Sequence, residues 1–325
     1  MNIVVTGGAG YIGRAVAAEL DKAGYDCIAV DNLSTGYRDW VREPLECIDI
    51  RDTSALTACF IRNRVEAVIH LAALKSPAES VAYPARYHDV NIAGTKSVLE
   101  AATAAQVGKV VFSSSSAVYG HKVGLIAEES PCQPSNPYGE TKRAGELLGV
   151  DWQTSTAGSF VALRYFNVGG ADARQRYGER YRGWPSQIIP ATIEATLRGQ
   201  PVHIYGLDYD TADGSAVRDF VHVDDVARAH VKALRADVSG IFNLGTGRGS
   251  SVLQVISEVE RSAGVAVMTT PDQRRAGDPE SSICDVTLAH NQLHWQAHHD
   301  LSDIVDSAWA WRRHVAEDRT SGSRF

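Results

Sequence analysis

Met1-Asn2-Ile3-Val4-Val5-Thr6-Gly7-Gly8-Ala9-Gly10-Tyr11-Ile12-Gly13 opens the chain, and its reading decides the fold class. A short apolar, β-prone run leads into glycines at 7, 10 and 13 and then into the helical pattern of Arg14 to Lys22. Gly7 allows a tight turn, Gly10 lets backbone approach a pyrophosphate, and Gly13 lets the helix pack closely on the strand. The helix N-terminus then offers free N–H groups and a positive dipole end to the phosphates. A second strand, Cys27 to Val30, ends in Asp31-Asn32. An acid there accepts from a ribose 2′-OH and repels a 2′-phosphate, so NAD is expected over NADP.

Beyond this unit, strand and helix patterns alternate to about residue 172. Glu66 to His70, Lys109 to Phe112 and Ser159 to Tyr165 read as strands, and Ala85 to Gln106 as a long helix. The alternation predicts an α/β fold, a Rossmann-type doubly wound parallel sheet with helices on both faces. Chemistry-bearing residues fall at the strand ends, where such sheets bind ligands. From 173 the pattern changes to a polar loop (Arg174 to Gly183), a helix (Pro185 to Arg198), a short strand (Val202 to Tyr205) and a turn-rich insert (Asp208 to Ser215). Helices follow over Asp224 to Arg235, after a capping box at Ser251 to Gln254, and over Leu301 to His314, with a frayed tail from Arg319. The expected organisation is a dinucleotide-binding domain over 1–172 and a smaller α/β substrate domain over 173–325, some of whose segments pack back on the first.

Tyr138-Gly139-Glu140-Thr141-Lys142 carries the chemistry, read with the serine run Ser113 to Ser116. Residues four apart lie on one helix face, and Asn136-Pro137 supplies an N-cap followed by Pro at the first helical position. A free phenol has a pKa of about 10, and a nearby ammonium favours the phenolate. A serine hydroxyl beside it can hydrogen-bond the same substrate oxygen. The trio moves protons on and off a carbinol while a hydride moves elsewhere. The spacing alone is weak: with twelve tyrosines and seven lysines in 325 residues, chance gives roughly a quarter of such a pair. The glycine loop supplies the missing context.

Net charge −7 argues against a nucleic-acid partner. No apolar run approaches the roughly 18 residues that span a membrane, and the first strand at residue 2 leaves no room for a signal peptide. Cys27, Cys47, Cys59, Cys132 and Cys284 are odd in number and widely spaced, as in reduced thiols of a cytoplasmic enzyme. His290, His294 and His298 fall at helical spacing, but no carboxylate or cysteine completes a metal site, so a solvated face is expected and no metal. Asp208-Tyr209-Asp210 reads as turn chemistry.

With these motifs assembled, the chain resembles the extended short-chain dehydrogenases/reductases, and among them the UDP-glucose 4-epimerases, over about residues 2 to 314. The matching segments are TGGAGYIG at 6–13, DNLSTG at 31–36, DI at 49–50, HLAALK at 70–75, N-x-x-GT at 91–95, FSSSSAVYG at 112–120, NPYGETK at 136–142, RYFNVGGA at 164–171, DGSAVRDFVHVDD at 213–225, FNLGTGRGSSV at 242–252 and RRAGD at 274–278. The resemblance implies that Gly7, Gly10, Tyr11, Ile12, Gly13, Asp31, Asn32, Leu33, Ser34, Thr35, Gly36, Asp49, Ile50, Leu71, Ala72, Ala73, Lys75, Asn91, Ser113 and Phe166 line NAD. It makes Tyr138 the base. Lys142 holds the nicotinamide ribose and lowers the phenol pKa, and Ser115 shares the sugar 4-hydroxyl. Asn167, Gln187, His203, Ile204, Tyr205, Arg218, Arg275, Asp278 and Ser282, with Lys75, fall to the UDP-sugar. Arg218 and Arg275 are the local positive charge that an acidic protein needs for a pyrophosphate.

Three positions bear on detail. Gln187 stands where many members have Asn and reaches further. Ser114 and Ser116 rival Ser115, which the register with Tyr119-Gly120 favours. Ser282 stands where some members carry a bulky aromatic against the sugar. The resemblance therefore implies epimerisation of UDP-glucose and UDP-galactose at C4, in a homodimer built on 85–106 and 137–150. UDP-N-acetylhexosamine or UDP-pentose carriers are the alternative substrates. A nucleotide-sugar 4,6-dehydratase needs an acid and a base just after Ser115, where Ser116 and Ala117 offer no carboxylate. Asp31 disfavours a reductase using free NADP, and a non-catalytic NAD-binding protein has no need of the Ser–Tyr–Lys set.

Overall fold

The structure is a computed structural model that describes residues 1–181, 183–275 and 277–320. Of the tail expected to fray from Arg319, Arg319 and Thr320 continue the last helix, while 321–325 lie outside the described residues, as does Ala276 within the 274–278 motif. In chain order the strands are β1 (Ile3–Thr6), β2 (Cys27–Val30), β3 (Leu45–Glu46), β4 (Ala67–His70), β5 (Lys109–Ser115), β6 (Gly124–Ile126), β7 (Ser159–Tyr165), β8 (Asn167–Gly169), β9 (Val202–Tyr205), β10 (Val217–His222), β11 (Gly240–Leu244), β12 (Gly249–Ser251), β13 (Thr269–Asp272) and β14 (Ser281–Cys284). The helices are α1 (Tyr11–Lys22), α2 (Thr53–Arg62), α3 (Pro77–Ala82), α4 (Pro84–Tyr87), α5 (Gly94–Ala104), α6 (Pro137–Ser155), α7 (Ile188–Arg198), α8 (Val223–Arg235), α9 (Val252–Ala263), α10 (Thr287–Leu293) and α11 (Leu301–Thr320).

Seven parallel strands form the main sheet in the order β11-β7-β5-β4-β1-β2-β3. Both faces are covered, which is why the central strands are apolar without alternation. Ile3, Val5, Ile69 and Val111 face α1 and α8 through Ala15, Val16, Val226 and Ala229. Val4, Val68, Val110 and Phe112 face α2, α5 and α6 through Phe60, Val98 and Trp152. The strand order reverses between β1 and β4, and a ligand crevice opens at the carboxyl ends there. A second sheet, β12-β10-β14-β6 with β8 beside β10, stands against it. Sheet membership does not follow chain order, because β11 returns to the main sheet and β6 leaves it.

Helix limits track local chemistry. Asn136 accepts from the Gly139 amide at 3.0 Å with Pro137 at the first position, and Ser251 and Gln254 close a capping box. The expected helix over 85–106 is interrupted by a π-helical segment, His88–Ala93. The helix expected from Pro185 starts at Ile188. The histidine series is broken: α10 ends at Leu293, and His294 turns left-handed at φ 50°. Three histidines at helical spacing therefore share no helix.

No helix is long and apolar enough to cross a membrane among the described residues. The catalytic-side helix α6 seats on the sheet through glycines. A Cβ at Gly145 would overlap the Phe112 ring, and one at Gly149 the Phe160 ring. Gly149→Ala is therefore expected to lose about 1–3 kcal/mol from overpacking, despite a gain of roughly 1 kcal/mol in helix propensity. Urea denaturation reads the difference, and a net gain in stability would contradict this seating.

Candidate active site

β5 and α6 bring the proton-handling groups together. Lys142 is 4% exposed, and its Nζ donates to the Ser113 carbonyl at 2.8 Å. The same nitrogen lies 5.9 Å from the centre of the Tyr138 ring. Tyr138 hydrogen-bonds Ser115, whose Oγ also accepts from the Ala117 amide at 3.2 Å. Burial pushes the Lys142 ammonium down to about 8, against the charge of Glu146. Burial also pushes the Tyr138 phenol above its usual value, and the Ser115 hydrogen bond pulls the other way. Of these two effects on the phenol, burial is the larger. The ammonium is aimed at a carbonyl, and desolvation of the phenol wins.

The serine run is sorted by its neighbours. Ser114 is 1% exposed and its hydroxyl donates to Glu146 Oε1 at 2.5 Å, behind the strand. Ser116 begins a 3₁₀ turn over Ser116–Tyr119. Ser115 is half-buried at the end of β5, beside Tyr138.

The glycine loop fits a dinucleotide. Gly7 has φ +72°, and a Cβ there would stand 2.7 Å from the Ala72 amide nitrogen; one at Gly13 would overlap the Gly7 carbonyl. Gly10 caps α1 without a side chain, leaving Tyr11, Ile12 and Gly13 amides for an anion. Asp31 accepts from the Ala9 amide at 3.1 Å and the Leu33 amide at 2.8 Å, so the 31–36 loop folds around its carboxylate. Asn32 takes the Ser34 amide and donates to Asp49 at 3.0 Å; Thr35 is exposed, and Gly36 packs on Asp31. Asp49 is held well below the usual carboxylate range, chiefly by hydrogen bonds from Arg51.

Other expected contacts are placed differently. Asn91, in the π segment, spends its amide on Leu74 N and O and on the Thr141 hydroxyl, so it braces the 71–75 loop against α6. Ile50 is buried under Gly94, and Phe166 is buried with Tyr119 and Cys284. Leu71, Ala72 and Ala73 are half-buried at the β4 end. Lys75 is exposed and pairs with Glu179 at 2.8 Å.

On the second sheet, Arg218 pairs with Asp278 at 2.5 Å and stands in register with Ser282. Arg275 lies over Tyr205 at 3.8 Å. Asn167 donates to the Asp219 carbonyl, His203 faces Asp272, and Gln187 is exposed at the start of α7. The Ile204 side chain points into the core with Phe220 and Val255, leaving only its backbone for a ligand. Tyr209 is 6% exposed, and its hydroxyl has no partner among the described residues. Nothing in its sequence context signalled that.

One potential ligand cluster also escaped the sequence reading: His222, Asp224 and His299 gather within 4.8 Å. The His222 Nδ1 already accepts the Asp224 amide at 3.0 Å, and its ring stacks on His299 at 4.2 Å. Stacked rings do not converge on one ion, so the cluster reads as a packed joint.

Ser115→Ala is expected to lower turnover by about 10²-fold or more. Ser114→Ala should keep turnover within about threefold while losing roughly 1 kcal/mol of stability with its hydrogen bond. Steady-state rates beside thermal melts separate the two, and the reverse pattern would reassign the hydroxyl.

Comparison with known proteins agrees with this geometry. Residues 3–245 match the NAD dependent epimerase/dehydratase family. The UDP-glucose 4-epimerase of Lactobacillus helveticus is 38% identical over 323 residues, covering 96% of this chain and 97% of that protein. Among solved structures, a Stenotrophomonas maltophila UDP-glucose 4-epimerase with bound NAD and formylated UDP-arabinopyranose superposes with a TM-score of 0.94. It is 39% identical and covers 98% of this chain and 99% of its own. The UDP-Glc/GlcNAc 4-epimerase of Campylobacter jejuni superposes at 0.85, with 34% identity over 96% of this chain and 99% of its own. The chain belongs to the NAD dependent epimerase/dehydratase family, in the branch of the UDP-glucose 4-epimerases.

Proposed function

We propose that this chain is an NAD-dependent UDP-glucose 4-epimerase, interconverting UDP-glucose and UDP-galactose through a transient 4-keto sugar. The observation that carries the reading is the meeting of Ser115, Tyr138 and Lys142 at the edge of a dinucleotide-type crevice. Gly7 to Gly13, the 31–36 loop, Asp49 and the 71–73 loop would hold the cofactor, which when bound supplies the acceptor and donor of the C4 hydride. Tyr138 takes the C4-hydroxyl proton and later returns it. Ser115 hydrogen-bonds the same oxygen and orients it. Lys142 is the chain's own positive charge against the phenolate. Arg218 and Arg275 neutralise the diphosphate, and Asp278 fixes Arg218. Anchoring the nucleotide while the sugar stays free lets the 4-keto group present its other face, so orientation supplies much of the rate.

The same reading extends to assembly and location. The chain acts as a cytoplasmic homodimer, joined through the faces of 85–106 and 137–150. Val81, Tyr83, Leu147 and Val150 are 65%, 60%, 50% and 44% exposed on and beside those helices, an apolar surface that a second copy would cover. All five cysteines are free, as suits a reducing compartment.

Tyr138→Phe removes only the proton-transfer group. It should stay folded, release near-stoichiometric NAD on denaturation, and lose about 10²–10⁴ in turnover of UDP-galactose. Turnover within a factor of two of the parent would sink the assignment.

Ser282 sets the room beside the sugar. It is half-buried in β14, between Arg218 and Gly124 in register, and a small residue cannot reject a bulkier C2 substituent by clash. UDP-N-acetylglucosamine should therefore be epimerised beside UDP-glucose, as the name of the Campylobacter jejuni relative pairs the two sugars. Ser282→Tyr is expected to abolish the N-acetylated activity and spare the plain hexose. Parallel assays of both sugars check this, and no N-acetylhexosamine turnover in the parent would refute it.

A further inference from the structure

Behind the active site lies a buried charge network that the sequence motifs did not mark. Three side chains of α6 at i, i+4 and i+8, namely Tyr138, Lys142 and Glu146, meet three consecutive residues of β5. Tyr138 bonds Ser115, Lys142 bonds the Ser113 carbonyl, and Glu146 takes the Ser114 hydroxyl. Glu146 is fully buried, at 0% exposure. Arg164 of β7 grips it with Nε at 2.7 Å and Nη2 at 2.8 Å, and Arg143 adds a bond at 2.9 Å. Arg164 is itself fixed by the Tyr119 hydroxyl at 2.7 Å, which donates to Asn243 of β11. Burial alone would push the Glu146 carboxyl up. The bonds from Arg164, Ser114 and Arg143 outweigh it and hold the group ionised.

We propose that Glu146 is a positioning residue for the epimerisation: its buried carboxylate, fixed by Arg164 and Ser114 one helical turn from Lys142 on the same face of α6, is the counter-charge against which the ammonium is seated on β5. The groups that face Lys142 leave this role to Glu146. Tyr138 and Glu146 flank it on α6. His70 of β4 is buried and neutral, each of its ring nitrogens hydrogen-bonded to a threonine. Tyr165 of β7 stays protonated because of burial. Arg164 is committed to Glu146, and Arg143 points to Glu146 from the solvent side. Glu146 is therefore the one anion beside the ammonium among the described residues.

The sign follows. An anion one helical turn away favours the ammonium, so removing it lowers the pH at which Lys142 loses its proton. In the NAD-loaded enzyme, Glu146→Gln should shift the alkaline limb of kcat for UDP-galactose down by about one pH unit, so that activity falls about tenfold near pH 8.5 and less than about threefold near pH 6.5. Glu146→Asp, which keeps the charge, should restore most of the limb. Because Glu146→Gln leaves Arg164 buried without its anion, Glu146→Gln/Arg164→Gln is measured beside it and should show the same direction of shift. A loss equal at every pH, an unmoved limb in either variant, or no rescue by Asp would overturn the role. The inference rests on the assignment of Lys142 to the epimerase reaction. A parent that does not turn over UDP-galactose overturns that assignment, whereas an active parent with an unmoved limb in Glu146→Gln overturns this inference alone.

Discussion

A lysine ammonium buried beneath a catalytic helix has to be compensated, and the compensation of Lys142 organises the centre of this molecule. An unpaired buried charge costs several kcal/mol. Here the Ser113 carbonyl accepts a hydrogen bond from the ammonium and Glu146 supplies the opposing charge. That requirement fixes how close α6 must lie to β5. Gly145 and Gly149 permit the approach by leaving room for the Phe112 and Phe160 rings. Once α6 is seated there, Tyr138 can only stand beside Ser115.

The same seating reaches the cofactor side. Thr141, next to Lys142, accepts from Asn91, and Asn91 clamps both backbone polar groups of Leu74. His70 continues the chain: it accepts from Thr6 at the end of β1 and donates to Thr95 in α5. The loop after β4, the glycine turn after β1 and the catalytic helix are thus set by one hydrogen-bonded frame. Two contacts then cross to the later part of the chain. Lys75 pairs with Glu179, and Arg180 stacks on Tyr37 at 4.1 Å while pairing with Asp39.

Most of the main sheet was legible in the sequence because each unit carried its own punctuation. Gly7, Gly10 and Gly13 marked the first turn, and Asn136-Pro137 marked the start of α6. The Tyr138–Lys142 pair was legible because helical spacing puts both groups on one face. What could not be read is what depends on distant partners. The return of β11 to the sheet has no local signature, since Gly240–Leu244 would read equally well as a strand anywhere. Lys75 sits after an apolar strand end, as a cofactor-facing lysine would, and its partner Glu179 lies 104 residues later. The resemblance put Asn91 on NAD through the N-x-x-GT segment; its partners, the Leu74 backbone and the Thr141 hydroxyl, are not displayed by that segment. Glu146 carries no signal in the sequence, since its main partner Arg164 lies on a different strand. The even spacing of His290, His294 and His298 pointed to one solvated helix face; all three are exposed, but α10 stops before the second of them.

The central claim is that a hydride leaves the sugar C4 and returns to the same carbon inside one closed site, with proton traffic through Tyr138. UDP-galactose carrying deuterium at C4 tests it most directly, supplied to the purified protein with no added cofactor and followed by NMR. The account predicts UDP-glucose that keeps its deuterium at C4, with no label passing to water. Loss of the label to solvent, or no conversion without added NADP, would contradict it.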